Sequence, residues 1–267
     1  MKIKFELQKK HRYLIQSLLA TAFIYLVSQE ILSLTLPNLI ISVLMIVIIG
    51  TFIIHYPNIS LKNLPFIILM PISILSGSIL FLYFFPNLGL PFKLAAVASF
   101  GVLYYLVSLM DNIFLVIQDR EEVIPLYRVA IVWSQILQIV VAIPLFAGVF
   151  KFNVASFTQA LVVGFVTFSY SYYQLWSLQF DEGVKKTTKG ESLYLCFLST
   201  FLVTVSSIAV SFMPTESFLR ALFTASVLMF SLTYITSYLK NEITLKLVLR
   251  YLVIVFVFFI FLIFFTP

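Results

Sequence analysis

Long apolar stretches separated by short polar segments dominate the pattern of this chain. Each stretch reaches the roughly 20 residues that an α-helix needs to cross a ~30 Å hydrocarbon core. The pattern therefore predicts an all-α fold: a polytopic transmembrane bundle of about nine membrane-spanning helices. The predicted spans are 13–33, 38–56, 65–85, 94–117, 129–150, 157–180, 192–213, 218–239 and 247–266.

Turn-forming pairs mark several of the predicted boundaries. Pro37-Asn38, Pro86-Asn87 and Pro214-Thr215 each combine a residue that cannot continue a helix with one that favours turns. The first boundary has an alternative, because the segment 31–41 is almost continuously apolar. The stretch 13–56 is therefore either two full spans or one span with a re-entrant element.

Composition excludes a soluble protein. Hydrophobic residues make up 61% of the chain and charged residues only 10%, whereas ordinary soluble domains carry roughly 25% charged residues. The short connecting segments leave no room for a soluble catalytic domain or a nucleotide-binding module. We therefore expect a single integral membrane domain over 1–267, with 1–12 as a basic cytoplasmic segment.

The distribution of basic residues predicts the orientation, because short cytoplasmic loops accumulate Lys and Arg. With the N-terminus in the cytoplasm, nine spans place the C-terminus outside and leave only Lys93, Lys151 and Arg220 on the outer side. The other 14 of the 17 basic residues are then cytoplasmic: Lys2, Lys4, Lys9, Lys10, Arg12, Lys62, Arg120, Arg128, Lys185, Lys186, Lys189, Lys240, Lys246 and Arg250.

This asymmetry also bears on location and partners. It predicts a multi-pass protein of the cell membrane whose basic residues meet anionic inner-leaflet lipids. The basic residues are spread over short loops, so we expect no nucleic-acid partner, which would need a clustered basic surface.

The inventory of catalytic and metal-binding side chains is small. Cys196 is the only cysteine, and His11 and His55 are the only histidines, so the chain barely has the ligands for a protein-built zinc or haem site. We expect no cofactor, no metal site and no identifiable catalytic residue. An enzyme acting on a lipid-linked substrate is the third-ranked hypothesis for this reason.

Polar side chains inside the predicted spans are the candidate functional residues, because each is costly in a membrane. Asp111 lies about 9 Å inside the cytoplasmic end of the fourth span, too deep for its short side chain to reach the interface. Gln135, Gln138 and Gln174 fall at depths of about 9 to 13 Å in the fifth and sixth spans. Asn112 adjoins Asp111. The shared depth predicts a cytoplasm-facing polar pocket or proton pathway.

Three further features complete the candidates: one acidic residue, two pairs of small residues and one charged loop. Glu30 lies near the outer end of the first predicted span, in the opposite leaflet from Asp111. Small residues four apart, Ser73 with Gly77 and Ala95 with Ser99, predict a tight hairpin of the third and fourth helices. A cytoplasmic loop of alternating charge offers a docking surface for a membrane protein partner; its residues are Asp119, Arg120, Glu121, Glu122 and Arg128.

Two functional hypotheses follow. The first is a binding or translocation protein whose pocket takes a proton, a cation or a small substrate. The second is a non-catalytic accessory or assembly subunit of a membrane complex, in which the polar layer only holds helices together, at about 0.6 kcal/mol per hydrogen bond.

Overall fold

The structure of the chain, a computed structural model, describes residues 9–32, 35–55, 59–60, 63–120, 125–181 and 183–265. Across these residues the chain forms nine α-helices and no strand. The helices are α1 Lys9–Ser28, α2 Leu36–His55, α3 Leu64–Phe84, α4 Leu90–Arg120, α5 Leu126–Lys151, α6 Ser156–Leu178, α7 Lys189–Ser211, α8 Ser217–Leu239 and α9 Leu245–Phe264.

Seven of these helices are long and apolar enough to cross a membrane: α2, α3, α4, α5, α7, α8 and α9. The all-α fold expected from the sequence is therefore confirmed over the described residues, whereas the nine membrane spans and their orientation stay predictions. Among the described residues, α1 and α6 fall below the same level of hydropathy. In α6 the reason is a set of polar side chains that are buried within the protein: Gln159, Thr167, Ser171, Gln174 and Ser177.

The contacts within the chain separate two compact units, Met1–Glu122 (unit 1) and Val123–Pro267 (unit 2). In unit 1, α4 packs against α1 and α3, and α1 also contacts α2 and α3. In unit 2, α6 packs along α7, α5 packs along α8, and α9 packs on α8. The single integral membrane domain expected from the sequence stays a prediction.

The first helix ends earlier than its predicted boundary at residue 33. It stops at Ser28, and the N–H of Glu30 donates to the carbonyl of Val27 at 3.1 Å in a closing turn. Glu30 has a positive φ of 57°, which is uncommon for a residue with a side chain. The apolar run is thus divided, because α2 begins at Leu36.

The predicted packing of small residues is wrong for α4. Ser73 and Gly77 are buried on α3, but Ala95 and Ser99 are exposed. A different small residue brings α4 close to a neighbour: the side chain of Thr21 on α1 occupies the space where Gly101 would carry a Cβ atom. The four-residue spacing identified small residues on one side of α4. It did not identify the side of α4 that packs against another helix.

Candidate functional site

A hydrogen-bonded layer of amide side chains crosses the interior of unit 2. Gln138 on α5 donates through Nε2 to Oε1 of Gln174 on α6 at 2.8 Å. Gln174 in turn donates through Nε2 to Thr236 Oγ1 on α8 at 3.3 Å. Both glutamines are fully buried. The layer therefore joins three helices, and the structure brings Gln138 and Gln174 together as their shared depth predicts.

Gln135 lies one turn away and bonds to a different helix. Its Nε2 donates to Thr233 Oγ1 on α8 at 2.8 Å, and its side chain is half-buried. Gln135 and Gln138 are neighbours on α5, as their spacing of three predicts, but Gln138 bonds to α6 and Gln135 to α8. Together with Gln174 they form what we call the glutamine layer.

The glutamine layer retains unused hydrogen-bonding capacity. Gln138 Oε1 and Ser134 Oγ are both buried and hydrogen-bond to none of the described residues. They lie four residues apart on α5, so they share one face of the helix. Buried polar atoms are ordinarily paired with protein or water. This face of α5 can therefore accept a water molecule or a polar ligand group.

A cavity of about 320 Å³ lies at the end of unit 2 where α5 begins and α6 and α8 end. Its charged lining consists of two basic and two acidic residues, Arg128, Lys240, Asp181 and Glu242. Lys240 Nζ is 3.7 Å from Asp181 Oδ2. The cavity is open to solvent and also contacts Ile131, Val132 and Gly183. We call it the charged pocket.

The charged pocket lies directly beyond the glutamine layer along the same helices. On α5, Ile131 lines the pocket and Ser134 follows one turn deeper. Directly after α8, Lys240 lines the pocket, and Thr236 precedes it by one turn in that helix. Polar groups thus extend from the open end of unit 2 into its interior.

Side-chain contacts hold the connection between α6 and α7 at this end. Lys185 donates through Nζ to Glu191 Oε1 at 2.7 Å, and the Tyr238 hydroxyl donates to the same oxygen at 3.0 Å. The ammonium group of Lys185 also lies 5.4 Å from the centre of the Tyr238 ring. Because Glu191 accepts its hydrogen bond, the pKa of Lys185 is raised above its ordinary value.

The remaining pathway candidates lie in unit 1. Asp111 is fully buried on α4, and the adjacent Asn112 is half-buried. Glu30 is exposed in the turn after α1. Asp111 and the glutamine layer belong to different units, each described by itself, so the joint pocket of Asp111 with the glutamines stays a prediction.

The predicted docking loop is only partly described. Asp119 is exposed at the end of α4, and Arg128 lines the charged pocket. Glu121, Glu122 and the side chain of Arg120 lie outside the described residues. The role of this loop in binding a partner therefore stays a prediction.

Sequence reasoning missed several residues that the structure places at the site. Thr233 and Thr236 accept hydrogen bonds from the glutamine layer, and Asp181, Lys240 and Glu242 line the charged pocket. Thr236 and Lys240 are four residues apart near the end of one predicted helix. This spacing could have indicated that both residues lie on the same face and belong to one polar site. The pairing of α8 with α5 was not visible in the sequence.

The chain matches no protein-family model, no curated protein and no solved structure.

Proposed function

We propose that the chain crosses the cell membrane nine times, with its N-terminus in the cytoplasm and its C-terminus outside. The seven apolar helices support membrane insertion. The 14 to 3 division of basic residues supports the orientation. The polar residues of α6 face the interior of unit 2 rather than lipid, so its low hydropathy is compatible with a membrane-spanning position.

Single cysteines on either side of α6 test this topology. Cys196 is the only native cysteine and is buried, so Cys196→Ala provides a cysteine-free background. Asn153→Cys and Gly183→Cys then flank α6. In intact cells we expect a membrane-impermeant maleimide to label residue 153 and not residue 183. Labelling of both positions, or of neither with full labelling after lysis, contradicts a membrane-spanning α6.

We further propose that the protein binds, and possesses a path to translocate, a small ligand that carries both signs of charge. The observation that carries this proposal is the charged pocket, whose wall presents Arg128 and Lys240 beside Asp181 and Glu242. Its volume of about 320 Å³ lies at the lower end of the range for small-molecule sites. In the proposed orientation the pocket faces the cytoplasm.

The chemistry of the pocket favours a zwitterion over a simple ion. A guanidinium group binds a carboxylate through two parallel hydrogen bonds, and Arg128 offers this group at the exposed start of α5. Asp181 and Glu242 offer acceptors for an ammonium group. The glutamine layer beyond the pocket provides neutral donors and acceptors, which can accompany a polar ligand inward without an additional buried charge.

Thermal unfolding of the purified protein in detergent tests the pocket. Glycine and L-glutamine serve as zwitterionic probes, with sodium acetate and methylammonium chloride as single-charge controls at equal ionic strength. A ligand at 100 times its Kd stabilises the folded state by about 2.7 kcal/mol. We therefore expect a zwitterion to raise the Tm by several degrees and the single-charge ions to leave it nearly unchanged.

Variants assign that effect to the pocket. Arg128→Gln and Glu242→Gln should each abolish the rise in Tm, because each removes one partner of the ligand. Lys246→Gln is the matched control, since it removes an exposed charge outside the pocket lining. An equal rise in Arg128→Gln and the unaltered protein, or no rise with either zwitterion, contradicts the proposal.

We also propose that the protein interacts with anionic lipids and with a membrane protein partner. Anionic lipids would meet the basic residues of the cytoplasmic side, and vesicles with and without phosphatidylserine test this through the stability of the reconstituted protein. The accessory-subunit hypothesis predicts that reversing Asp119 and Arg128 removes copurifying membrane proteins. Unchanged copurification contradicts it.

A further inference from the structure

A second cluster of polar side chains lies inside unit 1, apart from the charged pocket and the glutamine layer. It consists of Tyr13 and Gln16 on α1, His55 at the end of α2, and Tyr104 and Asp111 on α4. All five side chains are buried, with exposed fractions of 2%, 8%, 3%, 1% and 0%. They include an imidazole and a carboxyl group, the two side-chain types most used to exchange protons.

Tyr13 packs against the ring of His55 and lies within electrostatic range of Asp111. Its ring centre is 5.8 Å from the ring centre of His55, and the charge of Asp111 acts on its hydroxyl group. The Tyr13 hydroxyl is buried and hydrogen-bonds to no other residue in the described part of the chain. The Tyr13 hydroxyl can therefore donate or accept a hydrogen bond near the carboxyl group of Asp111 and the imidazole of His55.

Gln16 and Tyr104 are the two neutral members of the cluster that hydrogen-bond to each other. Gln16 donates through Nε2 to the Ile46 carbonyl at 3.0 Å and lies 3.4 Å from the Tyr104 hydroxyl. Gly50 on α2 makes this position possible, because the Gln16 amide occupies the space of a Cβ atom there. The charge of Asp111 also acts on the Tyr104 hydroxyl.

The charged and titratable groups around the cluster come from few elements. Helix α1 contributes Arg12 and Tyr13, α2 contributes His55, and α4 contributes Tyr104 and Asp111. Among its described residues α3 has one titratable group, Tyr83, which is exposed at the far end of that helix. Arg12, the residue before Tyr13, is half-buried and donates to the Ile53 carbonyl at 3.5 Å, so the protein surface lies one residue away from the cluster beside the end of α2.

We propose that this cluster is a proton-binding site, at which Asp111 and His55 together take up one proton from the surface that carries Arg12. A buried carboxylate is stable only beside a positive charge or hydrogen-bond donors, and otherwise binds a proton. The imidazole and the two tyrosine hydroxyls supply such donors. Uptake transfers a proton from water to the carboxyl or imidazole group, and release returns it, with no other bond changed.

Histidine magnetic resonance tests the site directly, because the chain has only two histidines. In a His11→Gln background, ¹⁵N-labelled histidine reports His55 alone in the full-length protein. We expect the imidazole to titrate in a single step. Asp111→Asn should displace the midpoint by about one pH unit or more, the size of shift that a nearby opposite charge produces.

Matched variants separate this site from a merely structural cluster. Asp119→Asn removes the same charge from the exposed end of α4 and should leave the His55 midpoint unchanged. Asp111→Asn removes a negative charge and should lower the His55 midpoint. Tyr13→Phe removes only one hydroxyl donor, so it should fold where Asp111→Asn does not, and it should raise the midpoint by a smaller amount because the carboxylate loses a donor. A His55 that never changes protonation, or a midpoint unaffected by both Asp111→Asn and Tyr13→Phe, overturns the proposal.

The test is independent of the charged pocket. It needs no zwitterion, and every variant lies in unit 1. A failure of zwitterion binding therefore leaves the proton-binding site intact, and the reverse also holds.

Discussion

The two units bury polar groups of different chemistry. Unit 1 buries ionisable groups, including Asp111 and His55. The glutamine layer of unit 2 consists of neutral amides that bond to each other and to threonine hydroxyls, and four charged residues of that unit line a cavity open to solvent. Neutral polar groups can hold membrane helices together with little change in charge, whereas a buried carboxyl group and a buried imidazole can change protonation. Unit 1 is therefore the unit whose buried groups can bind and release a proton, whereas the buried amides of unit 2 hold helices together without a change of charge.

The units also share one structural device. In each, a glycine lets a threonine side chain from a neighbouring helix approach the backbone: Gly101 with Thr21 in unit 1, and Gly164 with Thr204 in unit 2. Small residues allow membrane helices to pack closely without bulky side chains between them. The difference between the units therefore lies in their polar interiors, not in how their helices approach each other.

The largest expected effect comes from filling these two close approaches. Gly101→Leu and Gly164→Leu should each lower the free energy of unfolding by about 1 to 3 kcal/mol, because the new side chain overlaps a threonine. Denaturant unfolding in detergent, followed by the fluorescence of the buried Trp176 in a Trp133→Phe background, measures the loss for Gly164.

Gly190→Leu is the control for this prediction, because a Cβ atom at Gly190 meets nothing within 4 Å. It should change stability by less than about 0.5 kcal/mol, as exposed substitutions usually do. If Gly164→Leu behaves like Gly190→Leu, the close approach of α6 and α7 is not a source of stability.

A smaller effect is expected in the glutamine layer. Gln138→Leu or Gln174→Leu alone should cost about 1 to 2 kcal/mol, because each leaves a buried partner unsatisfied. The double variant should cost less than the sum, with a coupling of about 0.6 to 1.7 kcal/mol. The same unfolding assay measures this double-mutant cycle.

Gln135→Leu provides the comparison within the same helix, since Gln135 bonds to Thr233 instead. Combined with Gln174→Leu it should show a smaller coupling, because Gln135 and Gln174 share no hydrogen bond. Additivity of Gln138→Leu with Gln174→Leu would contradict a hydrogen bond between those two side chains.

The smallest effect belongs to the exposed charges of unit 2. Because the pKa of Lys185 is raised by Glu191, the stabilisation from this contact is present below the ordinary lysine pKa. It is lost as the pH rises through the raised value. Glu191→Gln should remove this dependence and bring the titration of Lys185 back towards its ordinary range, as measured by magnetic resonance of labelled lysine.

Added salt distinguishes the surface of unit 2 from its interior. Added salt should weaken the Lys185–Glu191 contact, which lies at the surface, and should leave the Gln138–Gln174 coupling unchanged. A coupling between the glutamines that falls with salt would contradict a layer of neutral groups buried away from ions.

The sequence predicted those features that depend on one helix at a time. The apolar stretches predicted the helices, and depth along α5 and α6 predicted that Gln138 and Gln174 meet. The end of α1 was predicted too late because the predicted span ran on through Gln29 and Glu30 to the apolar residues that follow them. In the structure, Gln29 and Glu30 form the turn that ends the helix.

Features that depend on the arrangement of distant helices were not predictable from one sequence. His55 was considered only as a metal ligand, and its place beside Tyr13 follows from the packing of α1 with α2. The charged pocket joins Arg128 to Lys240 across more than one hundred residues of sequence. The rotation of α4 likewise decided that Gly101, rather than Ala95, is covered.

A count of bound protons tests the contrast between the units most directly. The purified protein is titrated between about pH 8 and pH 5, the range in which histidine changes charge. We predict that Asp111→Asn with His55→Gln binds about one proton fewer than the unaltered protein, whereas Gln138→Leu with Gln174→Leu binds the same number. An equal count in the unaltered protein and the unit 1 double variant would contradict the account.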